Sequence, residues 1–92
     1  QHTVHQPAYS LPHKLSPHHA ARLERMTIES EELRIPQTDR SLIIEGVGGV
    51  LVPLTSTISS LDLFCSWDCQ WVVVSNHYLG SINHTLLTIR EL

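Results

Sequence analysis

The chain has 92 residues, enough for one small domain with a modest core and too few for two. Apolar residues make up 41% of it, which fits a globular fold and argues against wholesale disorder. The net charge is −3 with histidines neutral, and the six Lys and Arg are scattered, so no basic stripe exists to bind nucleic acid.

In chain order, residues 1–16 read as extended or irregular, with prolines and histidines at no clear period. Ser16 is placed to cap a helix that starts at Pro17, where proline's missing N–H costs nothing. Thr27 offers a second N-cap. Glu29, Glu31 and Glu32 follow it, where the positive end of a helix favours carboxylates, and Pro36 stops the segment. "SLIIEG", 41–46, and "QWVVVSN", 70–76, are short apolar runs without alternation, as in strands covered on both faces. Between them "SSLDLFCSWD", 59–68, predicts a short helix. After them, apolar residues at 82, 86, 89 and 92 form one helical stripe. Strands alternating with helices predict an α/β fold with a parallel sheet.

In such sheets ligands bind beyond the carboxyl ends of the strands. Glu45 stands at one such end, followed by Gly46-Val47-Gly48-Gly49. A carboxylate beside exposed backbone N–H groups suits a Mg²⁺–phosphate ligand: the acid takes the hard cation and the N–H groups take phosphate oxygens. The plainer alternative is a tight turn with a solvated acid. The spacing is not the dinucleotide fingerprint, because Leu51 stands where its last glycine belongs, and no G-x-x-x-x-G-K-[ST] loop occurs. After the second run, Gly80 and Ser81 open the last helix. The free N–H groups around Ser81, Ile82 and Asn83 suit an anion, or serve ordinary capping.

Together these stretches resemble the dethiobiotin synthetase family. Glu45-Gly46-Val47-Gly48-Gly49 with Pro53-Leu54 is similar to its E-G-[AG]-G-G…P-L. Leu79-Gly80-Ser81-Ile82-Asn83-His84-Thr85-Leu86-Leu87-Thr88 is similar to its L-G-x-I-N-H-x-L-L-T, and Ser16-Pro17-His18 to its S-P-H. The resemblance covers essentially the whole chain. It implies a P-loop NTPase-like, doubly wound parallel sheet, of which residues 1–92 are the central part of a single domain. It implies ATP- and Mg²⁺-dependent carboxylation and ring closure of 7,8-diaminononanoate with CO₂, in biotin biosynthesis. Glu45 matches the Mg²⁺ ligand, and Gly46, Val47 and Gly48 match the nucleotide-contacting loop. Gly80, Ser81, Ile82 and Asn83 match the helix start that holds the substrate carboxylate, contributed from the partner in a homodimer. Val47 departs from the usual Ala or Gly, and Ser81 from a common Cys. The family's phosphate loop, its catalytic lysine and its adenine site have no counterpart in these residues, so the segment alone is expected to be inactive. The alternatives are a related amidotransferase-type or partition-type ATPase, or a non-catalytic regulatory or dimerisation domain of the same fold.

The remaining features carry simpler expectations. The uncharged stretch 46–61 is rich in Gly, Ser and Thr and does not suit a membrane span. No basic-then-apolar start marks a secretory signal. Two cysteines are too few for a disulfide scaffold, so Cys65 and Cys69 are expected as buried, reduced thiols in a cytoplasmic protein. The first residue, Gln1, and a last residue within a helical stretch give the expectation of a segment cut from a longer protein. His2, His5, His13, His18 and His19 crowd one end, but their irregular spacing argues against structural zinc. Trp67 and Trp71 read as core or interface residues.

Overall fold

The computed structural model describes residues 4–92. His2 lies outside the described residues.

Among the described residues three α-helices and one 3₁₀ turn form: α1 (Pro17–Leu23), the turn Ser30–Glu32, α2 (Ser60–Cys65) and α3 (Ser81–Glu91). α1 starts as its sequence dictates, with Ser16 at the N-cap and Pro17 at the first position. The Ser16 hydroxyl turns away from the helix to His18 Nδ1, at 3.2 Å. The second helix expected from Thr27 shrinks to the single 3₁₀ turn, entered from Glu29. Tyr9 braces that turn from 20 residues upstream. Its hydroxyl donates to the Glu32 carboxylate and accepts the Glu29 N–H at 3.0 Å. The Glu32 carboxylate raises the Tyr9 pKa above its ordinary value, against the smaller opposing pull of the Glu29 N–H.

Residues 49–61 fold back on themselves as a tight hairpin-like loop. Leu61 N–H donates to Val50 O at 2.8 Å, Ser60 N–H to Val52 O at 2.9 Å, and Leu54 N–H to Ile58 O at 2.9 Å. An isolated antiparallel bridge joins Pro53 to Ser59. α2 then begins with a reciprocal cap: the Ser59 hydroxyl accepts from Asp62 N–H while Asp62 accepts from Ser59 N–H at 2.7 Å.

The two apolar runs are where expectation and structure part. Residues 41–46 and 70–76 hold no helix or turn, and they form no strand ladder among the described residues. Their faces are not both covered either. Ile43 is 94% exposed while Leu42 and Ile44 are 44% and 39%; Val72 and Val74 are 84% and 89% while Trp71 and Val73 are each 40%. Exposure alternates with period two, as it does when an extended segment rests one face on the body and leaves the other bare.

The core is correspondingly thin. Among the described residues, the buried apolar set is Ala20, Ala21, Ile28 and Leu63. The accessible surface is 8129 Å², against about 5,400 Å² for a compact monomer of this mass. The radius of gyration is 14.8 Å, against about 12 Å for a compact domain of this length. Cys65 is exposed rather than buried, and both cysteines are free thiols. No described helix is long and apolar enough to cross a membrane.

Candidate functional site

The loop after the first run owes its shape to its glycines. Gly48 and Gly49 take φ of +86° and +105°, a region L side chains rarely enter, and a Cβ on Gly48 would stand 2.8 Å from Val52 Cγ2. At Gly46 a Cβ would stand 3.1 Å from Phe64 Cε2. The loop is held from below by Ser60, which is buried. Its hydroxyl reaches Gly49 O and Val50 O at 3.1 Å and Val52 O at 3.4 Å. Glu45, just before the loop, is exposed and makes no ion pair or hydrogen bond among the described residues.

The loop after the second run is also turned by a glycine. Gly80 caps α3 with φ +98°. Tyr78 O accepts the Ser81 N–H at 3.0 Å, and Gly80 O accepts the His84 N–H at 3.0 Å. The N–H groups of Ile82 and Asn83 have no partner among the described residues, as first-turn N–H groups require an external acceptor. The Tyr78 hydroxyl lies 2.8 Å from His84 Nδ1, closing a small arch over the glycine. Ser75 Oγ meets Thr85 Oγ1 at 2.8 Å and ties the second run to the helix.

Both loops open on one cavity of about 860 Å³, to which Gly46 and Gly49 contribute from one side and Tyr78, His84, Thr85 and Thr88 from the other. Of the residues expected at the site, only Gly46 lines it. Ser81 and Ile82 line a separate hollow of about 230 Å³. Glu45, Val47, Gly48, Gly80 and Asn83 line neither. Sequence reasoning missed Tyr78 and His84. His84 lies inside the quoted motif and Tyr78 two residues before its glycine, but a pair six residues apart across a turn has no periodic signature.

The side of α3 turned toward the body is polar. Ser81, Thr85 and Thr88 are partly covered, whereas Ile82, Leu86 and Ile89 are 77%, 53% and 54% exposed. The apolar stripe therefore faces outward. Of the crowded histidines, His13 pairs through Nε2 with Glu24 at 3.0 Å. No group of three metal-ligating side chains gathers among the described residues.

A family model described as "AAA domain" matches residues 1–92. The chain is 46% identical over 88 residues to an ATP-dependent dethiobiotin synthetase of Chlamydia abortus, covering 96% of this chain and 42% of that protein. It is 48% identical to the Chlamydia pneumoniae enzyme of the same name, covering 96% and 40%. It is 51% identical over 90 residues to that of Cytophaga hutchinsonii, covering 97% and 44%. The chain thus spans about two fifths of the length of the curated relatives it matches. No solved structure matches it. The family match supports a P-loop NTPase-type fold. Matched from first residue to last, the chain belongs to the AAA domain family, and its resemblance to the dethiobiotin synthetases holds over nearly all of its length.

Proposed function

We propose that this chain is a middle segment of an ATP-dependent dethiobiotin synthetase, which carboxylates 7,8-diaminononanoate with CO₂ and closes the cyclic urea at the expense of ATP. The observation that carries the reading is the pair of glycine-turned loops, one after each run: Gly48 and Gly49 turn the first at positive φ, and Gly80 turns the second into α3 with the N–H groups of Ile82 and Asn83 unpartnered among the described residues. The catalytic burden is positioning and charge stabilisation around a transferring phosphoryl group.

Glu45 suits Mg²⁺. Its carboxylate is exposed, free of a cationic partner, and adjacent to a loop whose positive-φ glycines leave backbone N–H groups approachable. Gly46, Val47 and Gly48 form the nucleotide-contacting loop. The unpartnered N–H groups of Ile82 and Asn83, with Gly80 and Ser81 setting the helix start, hold the carboxylate of the diamino acid. The bare stripe Ile82, Leu86 and Ile89 supports a homodimer that brings this helix start to a partner's site. The fold in the whole protein is the doubly wound parallel sheet, with the phosphate loop and adenine site supplied by residues outside 1–92, so this segment alone is inactive. Free thiols at Cys65 and Cys69 accord with a reducing, cytoplasmic setting.

The test is phosphate release by the full-length protein with ATP, Mg²⁺, bicarbonate and diaminononanoate. Glu45→Gln is expected to lower turnover at limiting Mg²⁺ at least about tenfold while leaving the fold intact. Unchanged turnover rejects the role of Glu45. ATP hydrolysis indifferent to the diamino acid points to a related ATPase, and no ATP turnover at all points to a non-catalytic domain.

A further inference from the structure

The helices α2 and α3 begin in opposite ways. At α2 the Ser59 hydroxyl accepts the Asp62 N–H and the Asp62 carboxylate accepts the Ser59 N–H at 2.7 Å, so the cap fixes the helix start and uses up its donors. At α3 the N-cap is Gly80, which makes no side-chain capping bond. The N–H groups of Ile82 and Asn83 stay open among the described residues. Glycine loses more conformational freedom on ordering than any other residue, so a start of this kind needs some other constraint to hold one geometry.

The constraint is a circuit of hydrogen bonds that begins and ends on Tyr78. Its carbonyl accepts the N–H of Ser81, the first helical residue, at 3.0 Å. Gly80 O accepts the His84 N–H at 3.0 Å. The Tyr78 hydroxyl then meets His84 Nδ1 at 2.8 Å. The imidazole lies over the glycine, where a Cβ on Gly80 would stand 3.6 Å from His84 Cε1. The contact between Ser75 Oγ and Thr85 Oγ1 ties the same helix to the second run but makes no bond within 78–84. A capping side chain cannot fix a helix start and also leave its N–H groups free. A bond that crosses the turn from outside does both, and the Tyr78–His84 bond uses neither the Ile82 nor the Asn83 N–H.

We propose that Tyr78 and His84 are positioning residues for the diamino acid: resting on the carboxylate role proposed above for this helix start, their hydrogen bond holds the left-handed Gly80 turn so that the Ile82 and Asn83 N–H groups are aligned before the carboxylate arrives. Neither side chain acts on the reacting atoms. Alignment in advance lowers the ordering cost of binding. It does so equally for substrate and transition state, so its loss shows in KM and not in kcat.

The test is phosphate release by the full-length protein, measured against diaminononanoate at saturating ATP and against ATP at saturating diaminononanoate. Tyr78→Phe removes the hydroxyl and keeps the ring. It is expected to raise the KM for the diamino acid about two- to tenfold, the weight of one hydrogen bond, with kcat and the KM for ATP within about twofold of wild type. His84→Leu is expected to do the same. The double variant is expected to be no worse than either single one, because each removes the same bond. His84→Asn keeps a hydrogen-bonding atom where Nδ1 stands and is expected to recover most of the loss. Should Tyr78→Phe fail to fold, the contrast of His84→Leu with His84→Asn carries the test.

An unchanged diamino acid KM, a change confined to kcat, or an equal rise in the KM for ATP overturns the positioning role and leaves the proposed reaction standing. Effects that multiply in the double variant overturn it too, as does His84→Asn no better than His84→Leu. ATP turnover by the wild-type protein that ignores the diamino acid overturns the proposed reaction and the positioning role with it.

Discussion

The segment 49–66 and the runs that flank it solve the backbone problem in opposite ways. Within 49–66 the donors and acceptors find one another locally: Ser60 Oγ gathers the carbonyls of Gly49, Val50 and Val52, Ser59 and Asp62 cap each other, and Ser66 closes α2 on Leu63 O at 2.6 Å. The runs 41–46 and 70–76 have nothing local to pair with, because an extended segment cannot satisfy its own peptide groups. The difference is one of range. Turns and caps are complete within a few residues, whereas a strand is only half an object until its neighbour arrives. Phe64 is the joint between the two regimes. It grows from α2, lies against Gly46, and places its ring centroid 6.1 Å from that of Trp71.

If 49–66 is self-sufficient, its keystone should be the most damaging place to cut. Ser60→Ala leaves Gly49 O without its partner, while Val50 O and Val52 O keep the backbone bonds from Leu61 and Ser60. Gly49 is exposed, so water can replace the lost partner, and losing such a hydrogen bond costs about 0.5–1.5 kcal/mol. Urea denaturation of the full-length protein should show a loss in that range. A loss no greater than that of a surface serine would mean that the loop is held by its neighbours rather than by itself.

The next effect is smaller and depends on pH. The Ser59 hydroxyl, and then its N–H, hold the Asp62 carboxyl below its ordinary value. A carboxylate whose folded pKa is depressed contributes stability above its unfolded value, near 3.8, and that contribution is lost as pH falls through the folded value. The wild-type protein should therefore lose a small increment of stability below about pH 4 that Asp62→Asn does not lose. Equal acid sensitivity in both would remove the capping box from the account of α2.

These contrasts explain what the sequence made legible. α1 and α3 were readable because Ser16-Pro17 and Gly80-Ser81 are start signals that act within one turn, and α2 because its apolar residues fall at helical spacing, while its Ser59–Asp62 cap showed only in the structure. The helix expected after Thr27 was not: its acidic residues sit well at a helix start, yet only one 3₁₀ turn forms, and Tyr9 holds it from a distance no local rule sees. The runs at 41–46 and 70–76 were recognisable as strand material, but no backbone partner for them lies among the described residues. The same limit hid the orientation of α3. Its apolar stripe was visible, whereas the polar side, Ser81, Thr85 and Thr88, is the one turned inward. At the site the glycine loops were legible from backbone demands, while the Tyr78–His84 arch came from a turn that brings together residues without periodic spacing.

The smallest effect probes the joint itself. Gly46→Ala adds a methyl 3.1 Å from Phe64 Cε2, tighter than ordinary contact, at a position where no positive φ opposes a side chain. Replacing glycine on such a backbone gains about 0.4–1 kcal/mol by restricting the unfolded chain, and crowding a packed ring costs about 1–3 kcal/mol. Phe64 is only partly covered and lines the open cavity, so its ring has room to yield. The crowding term therefore falls to the low end of its range and the two nearly cancel, leaving a net change within about 0.5 kcal/mol. The ring's shift should still register as altered emission from Trp67 and Trp71, whose ring centroids lie 5.4 Å and 6.1 Å from that of Phe64. A loss well above 1 kcal/mol would mean that the ring is pinned in place and cannot yield to the added methyl.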